Sequence, residues 1–297
     1  MDGIKKSAAF LVALTTASLI VPVSAGAYFE RMHASSRTLS MGGAFVAVAS
    51  DPSAAIVNPA GLAQCRTFSF LTSLNEPYGL SDLEESYFAV ALPAKIGIVG
   101  LSWHRFSLEG VSSEDLFSLA FGRDYIRTSL DASLSFGGSI DVARISYSDR
   151  FDASEAIVTG SLGVLLRPFP IIGVGYSVRN LGQDSFDFIP GGGGTPLKVQ
   201  HNWGIAYHWQ RVSFVYERER GQDRGWRNRM GLEVRLPTGL RIRSGLNRGD
   251  VTGGVGLLLS GLNVDIGVSS HDVLGTSYMI SVGYSLPHKG AVVEPKR

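Results

Sequence analysis

The sequence predicts an all-β protein: an antiparallel transmembrane β-barrel of about 14 strands with an N-terminal plug, or hatch, segment in its lumen. Three observations carry this. First, only 18% of residues are charged, against roughly 25% in an average soluble chain, and the mean hydropathy is slightly positive. Second, beyond the first two dozen residues the apolar side chains form no long run. They alternate with small or polar ones, as lipid-facing and lumen-facing positions do in a membrane barrel. Third, the connections between these segments alternate long and short, as they do when loops and turns lie at opposite ends of a barrel.

Residues 1–27 read as a secretory signal peptide. Lys5 and Lys6 form the charged start and Ser7 to Val21 the apolar run; Pro22 breaks it, and Ala25-Gly26-Ala27 is a small-x-small cleavage site. The run is shorter than the roughly 20 residues that span a bilayer, which disfavours a retained anchor. Removing the signal takes away Asp2, Lys5 and Lys6, so 27 basic and 26 acidic residues become 25 and 25. A neutral mature chain carries no footprint for nucleic acid. Cys65 is alone and reads as a small buried hydrophobe.

Residues 28–64 do not alternate, and they are the plug. Ala44 to Ala49 is small and apolar, Asp51-Pro52 can cap and start a short helix, and Asn58-Pro59 repeats that signal. Such a segment is too apolar for a free tail and too irregular for a strand. Inside a barrel, irregular backbone is sheltered from lipid.

The barrel is assigned to residues 65–286, followed by a short polar tail, 287–297. Its clearest strand is the last, where Tyr278, Ile280, Val282, Tyr284 and Leu286 oppose Met279, Ser281, Gly283 and Ser285. Trp203, Ile205, Tyr207 and Trp209 oppose Asn202, Gly204, Ala206 and His208 in the same way, and the segments at 130–136, 172–179 and 262–269 repeat it. Reading 128–148 as one strand with a bulge at Gly137-Gly138 gives the even number that a single-chain barrel needs. Both ends of the barrel then lie on the side of the short turns, which is periplasmic in an outer-membrane protein.

On the face opposite the lipid-facing aliphatics, the later strands carry Arg229, Glu233, Arg235, Arg241, Arg243 and Asp265, joined by Glu217 and Glu219. An Arg turned toward lipid at mid-membrane would cost about 2–4 kcal/mol, so these residues point inward. Both signs occur on neighbouring strands, which favours a paired network that holds the plug. A selective pore more often shows a ring of one sign. Binding of an amphiphile's carboxylate by Arg241 or Arg243 is the alternative.

The run Ser40-Met41-Gly42-Gly43-Ala44, with Asp51 and then Asn58-Pro59-Ala60-Gly61-Leu62, resembles the N-terminal segment of the PorV/PorQ family of outer-membrane proteins. More distantly it resembles that of the FadL-type (OmpP1/FadL/TodX) long-chain fatty-acid transporters. The resemblance implies a fourteen-stranded barrel whose hatch carries Gly42, Gly43, Asp51, Asn58, Pro59, Ala60, Gly61 and Leu62. It also implies a pocket for a small hydrophobic compound lined by Phe45, Val46, Ile56 and Val57. An architectural role for the box, tying plug to first strand, stays open beside this.

Two functions follow from the resemblance. The leading one is binding or passage of small hydrophobic, fatty-acid-like compounds across the outer membrane. The alternative is a protein-binding component of a type IX-like secretion or surface-anchoring system, with Phe186, Phe188 and Ile189 of the 181–197 loop as the contact for a secreted protein or secretion machinery. A structural porin-like barrel is the third reading. The expected surroundings are outer-membrane lipid, without cofactor or metal. Arg248-Gly249-Asp250 reads as a turn, the six histidines lack metal-ligand spacing, and no serine is singled out for hydrolysis, so an enzyme is not expected.

Overall fold

Fourteen antiparallel strands hydrogen-bond edge to edge until the first meets the last. The computed structural model describes residues 29, 33–128, 132–148, 153–182, 185–187, 194–221 and 225–287. The signal at 1–27, Phe188, Ile189 and the tail beyond 287 lie outside them. The chain divides into two compact units, Met1–Glu30 and Arg31–Arg297, and the strands and plug belong to the second.

The strands are β1 (Ser69–Glu76), β2 (Leu83–Ala94), β3 (Gly97–Leu108), β4 (Ser112–Arg127), β5 (Ser133–Tyr147), β6 (Ala153–Phe169) and β7 (Ile172–Leu181), then β8 (Ser185–Phe186) and β9 (Thr195–Pro196). They continue with β10 (Gln200–Trp209), β11 (Val212–Gly221), β12 (Arg227–Arg235), β13 (Leu240–Asn247), β14 (Asp250–Leu259), β15 (Leu262–His271) and β16 (Gly275–Ser285). β8 and β9 form a separate two-stranded hairpin in the β7–β10 connection; the other fourteen close the barrel. An even count returns β16 to the end where β1 begins, and Ser69 pairs with Ser285.

Period two decides which side chains meet the outside. Trp203, Ile205, Tyr207 and Trp209 are all exposed on β10, while Gly204 and Ala206 between them, and Asn202 before them, are buried. On β16, Tyr278 and Ile280 face out, and Met279 and Ser281 face in. A one-residue slip would send every one of these to the wrong side, so the pattern fixes the register.

Two local expectations differ from the structure. The ladder runs without a break through Gly137, opposite Gly122, and Gly138, opposite Phe121. The bulge lies on the neighbouring strand instead, where Tyr125 is left over between Asp124 and Ile126. Three connections expected to be long, at 109–114, 247–250 and 270–275, are three, two and three residues, because β4 already begins at Ser112 and the other two strand pairs run in register to Asn247–Asp250 and His271–Gly275.

The plug, described from His33, has two short helices, α1 (Ser36–Ser40) and α2 (Ala54–Val57), and a 3-10 helix (Pro59–Gln64). A reciprocal pair caps α1: Thr38 N–H donates to Ser35 Oγ at 3.2 Å, and Ser35 N–H to Thr38 Oγ1 at 3.0 Å. Asp51-Pro52 opens a turn rather than the helix. Asp51 Oδ1 accepts from Ser53 N–H at 3.0 Å, and α2 starts only at Ala54. Asn58 caps the 3-10 helix as expected, its Oδ1 accepting from Ala60 N–H at 3.2 Å.

Candidate functional site

The plug is bonded to strands on every side, which places it in the lumen. Ser36 N–H donates to Ser281 Oγ on β16 at 2.7 Å, and Ser73 Oγ on β1 donates to Ala34 O at 3.1 Å. On β14, Thr252 Oγ1 accepts from Gly42 N–H and donates to Ser40 O, both at 3.0 Å. On β7, Ser177 Oγ donates to Val57 O at 2.9 Å. On β11, one carboxylate oxygen of Glu217 accepts from both Phe45 N–H and Val46 N–H at 2.8 Å. Irregular backbone inside a barrel leaves amides without a ladder, and inward side chains of the wall satisfy them.

The Met-Gly-Gly run makes a turn that needs glycine. Gly42 and Gly43 sit at φ +62° and +77°, and a Cβ on Gly42 would lie 2.6 Å from Leu246 O. The Asn-Pro-Ala-Gly-Leu box docks on a wall stripped of side chains. Gly122, Gly137 and Gly163 are cross-strand neighbours on β4, β5 and β6. A Cβ on Gly122 would stand 2.5 Å from Pro59 O, and one on Gly137 or Gly163 would collide with Pro59 or Asn58. Asn58, fully buried, spends its amide N–H groups on Val46 O at 2.9 Å and Val164 O at 3.2 Å, joining plug to plug and plug to wall. Gly175 and Gly204 make the same accommodation for Val46.

The charged residues on the later strands face inward around this plug. Arg243 donates to Glu233 at 2.8 Å and to Asp265 at 2.5 Å. Arg229 reaches Glu217 at 3.2 Å and Glu219 at 2.5 Å, and Arg235 lies 3.4 Å from Glu233. The residue that sequence reasoning missed is Arg37 of the plug, which bonds Glu233 at 3.0 Å and Asp51 at 3.1 Å. Burial opposes its charge, but Glu233 and Asp51 outweigh burial and hold the guanidinium above its ordinary pKa. A second unforeseen cluster is the buried Glu85, which accepts from His104 at 2.8 Å, Asn75 at 2.6 Å and His33 N–H at 2.8 Å. Glu85 and His104 fall on inward positions, so parity held the signal for them. Arg37 carried none, because nothing local says which wall it meets.

Phe45 and Val46 are fully buried, Ile56 nearly so, and Val57 packs partly buried against the core cluster that holds Phe45. Among the described residues, two cavities lie elsewhere. One, about 490 Å³ at the long-loop end, is lined mainly by serines and charged groups, among them Asp82, Glu84, Arg105 and Ser146. The other, about 220 Å³ at the short-turn end, lies between Asp51, Arg235, Arg241 and Leu258. Neither is lined by Phe45, Val46, Ile56, Val57 or the box. Phe186, expected in an exposed apolar loop cluster, is instead 1% exposed and pairs with Thr195 across the β8–β9 ladder. Among the described residues, no group of His, Cys, Asp or Glu is placed to hold a metal ion.

No protein-family model and no curated protein matches the chain. Solved structures do. The toluene transporter TodX of Pseudomonas putida superposes with a TM-score of 0.61 at 11% identity, over 84% of this chain and 96% of that one. The toluene transporter TbuX of Ralstonia pickettii gives 0.60 at 13%, over 85% and 98%. The monoaromatic hydrocarbon channel CymD gives 0.59 at 12%, over 86% and 98%. At such identities the likeness is one of fold, and it is the fold expected from the resemblance to FadL-type barrels; no family model stands behind the PorV/PorQ part of that resemblance.

Proposed function

We propose that this chain is an outer-membrane barrel that binds or passes small hydrophobic compounds, with its short turns toward the periplasm and its signal removed. The observation that carries the reading is the plug: an N-terminal segment inside a fourteen-stranded barrel, its Asn58–Leu62 box seated on bare glycine wall. Three structures with this fold are described as toluene transporters or a monoaromatic hydrocarbon channel. The exposed Trp, Tyr and Ile side chains of β10 and β16 suit a lipid surround. A fatty-acid-like cargo is the finer form of the same proposal.

Since the box packs against the wall, passage requires part of the plug to move. Toluene entry into liposomes carrying the purified barrel tests this, using a Cys65→Ser background with Ser36→Cys and Ser281→Cys. The two hydroxyl oxygens are 2.8 Å apart, so oxidation should tie the plug to β16. Uptake that falls on oxidation and returns on reduction is the expected result. Uptake no faster than through protein-free liposomes would overturn the reading.

The packed plug also suits a protein-binding platform in secretion or surface anchoring. Co-purification of a defined secreted protein, with no hydrocarbon uptake, would favour that reading.

A further inference from the structure

We propose that the short-turn end of the lumen holds a subsite for a small amphipathic monocarboxylate, of about benzoate size, with Arg241 as its cation. This goes beyond hydrocarbon passage, which needs no charged group in the ligand. Charge is unbalanced around the 220 Å³ cavity. Arg37, Arg235 and Arg241 line it with Asp51, Glu233 and Asp265, and Arg243 stands behind them. Four cations face three carboxylates.

All three carboxylates already have partners. Arg37 takes Asp51 and Glu233, and Arg243 takes Glu233 and Asp265. Asn263 also donates to Asp265, and Arg235 divides itself between Glu233 at 3.4 Å and Ser213 Oγ at 2.7 Å. Arg241 is the remainder. Its one hydrogen-bond partner among the described residues is the neutral Asn263 Oδ1, at a long 3.4 Å. It is also the cross-strand neighbour of Arg235, a like charge, and such pairs repel unless an anion joins them. A carboxylate accepts two parallel N–H bonds from a guanidinium, so a single monoanion would balance the site.

The rest of the cavity fixes the ligand class. Pro52, Leu71 and Leu258 give it an apolar side, and Gly283 adds no side chain. An apolar cavity of roughly 150 Å³ accepts benzene; this one, at about 220 Å³, has room for a ring and a carboxylate.

Calorimetric titration of the purified barrel in detergent with benzoate tests the site independently of hydrocarbon passage. Benzamide serves as the neutral analogue and inorganic phosphate as the plain anion. Benzoate should bind at least tenfold more tightly than either, and Arg241→Gln should weaken it at least tenfold, with Arg241→Lys in between. Equal affinity for benzoate and benzamide would overturn the proposal without any variant. So would unchanged benzoate binding in Arg241→Gln, or phosphate binding as tight as benzoate, which would leave a bare anion site. Hydrocarbon passage is read separately, as toluene uptake by the unsubstituted barrel, so failure here and failure of the passage reading are told apart.

Discussion

Replacing Glu217 by Ala should release the middle of the plug while leaving the barrel closed. In the native protein, one carboxylate oxygen accepts from two buried amides, Phe45 N–H and Val46 N–H, at 2.8 Å each, and the other accepts from Arg229 at 3.2 Å. Hydrogen bonds to a charged group contribute about 1.5–3 kcal/mol each, so the two amide bonds together hold the turn by roughly 3–6 kcal/mol. Arg229 keeps Glu219 at 2.5 Å, which limits the damage on the wall. At about 1.4 kcal/mol per factor of ten, the Phe45 and Val46 amides should exchange with deuterium roughly 10²–10⁴ times faster in Glu217→Ala. Glu217→Gln keeps an acceptor oxygen and should show a smaller gain. Amides of β10, paired on both sides, serve as the internal reference. Unchanged protection at Phe45 and Val46, or equal loss in β10, would refute the idea that this carboxylate clamps the plug.

Three further substitutions and labels probe the same geometry. Gly137→Val sets a branched side chain against Pro59 and Ala60; it should displace the box, read as new protease cleavage within 50–64 in detergent. Cys65 is buried and its thiol is pushed up by that burial, with Asp51 adding to the effect. A raised pKa keeps the reactive thiolate scarce at neutral pH, so maleimide labelling of the folded protein should be far slower than of the denatured chain, and equal rates would contradict the seated plug. Ile205→Arg, on the exposed face of β10, should cost about 2–4 kcal/mol in lipid if that face lies at mid-membrane, measured as a lower urea midpoint for unfolding from liposomes.

The architecture was legible because a membrane barrel writes its inside and outside in a period of two. β10 and β16 could be read residue by residue, and parity of the connections gave the closed count. What failed was longer in range. Gly137-Gly138 looked like a bulge because a glycine within a strand often marks one. Here Gly137 is glycine for the sake of Pro59 and Ala60, far away in sequence. The inward glycines at 122, 137, 163, 175 and 204 were all visible as the small member of an alternating pair, but nothing local said what pressed against them. The charges behaved likewise: their inward direction followed from parity, while the partner that ties Glu233 to the plug, Arg37, lies in the one segment without a period. Polar strand ends such as Ser112 to Asp115, paired in full with β3 and β5, were hidden because a strand beyond the apolar band no longer alternates apolar with polar.

The pattern of bonds also limits how the plug can move. At least nine hydrogen bonds join the wall to Ala34, Ser36, Ser40, Gly42, Phe45, Val46, Val57 and Asn58. At about 1 kcal/mol net apiece, and with a further ~3–5 kcal/mol for breaking the buried Arg37–Glu233 pair, expelling the whole segment costs on the order of 10 kcal/mol. That is the stability of an entire domain. On the proposed passage of small compounds, a route that works on a physiological timescale has to move a part. The lightest attachment is at Ser50–Pro52, held by Arg37 from within the plug and by a 3.3 Å bond from the Tyr87 hydroxyl to Pro52 O. This stretch borders the cavity of Arg241. Arg37, next to Ser36, holds Ser50 and Asp51, so the Ser36–Ser281 crosslink that should slow uptake restrains this stretch as well, while the glycine-seated box needs no movement.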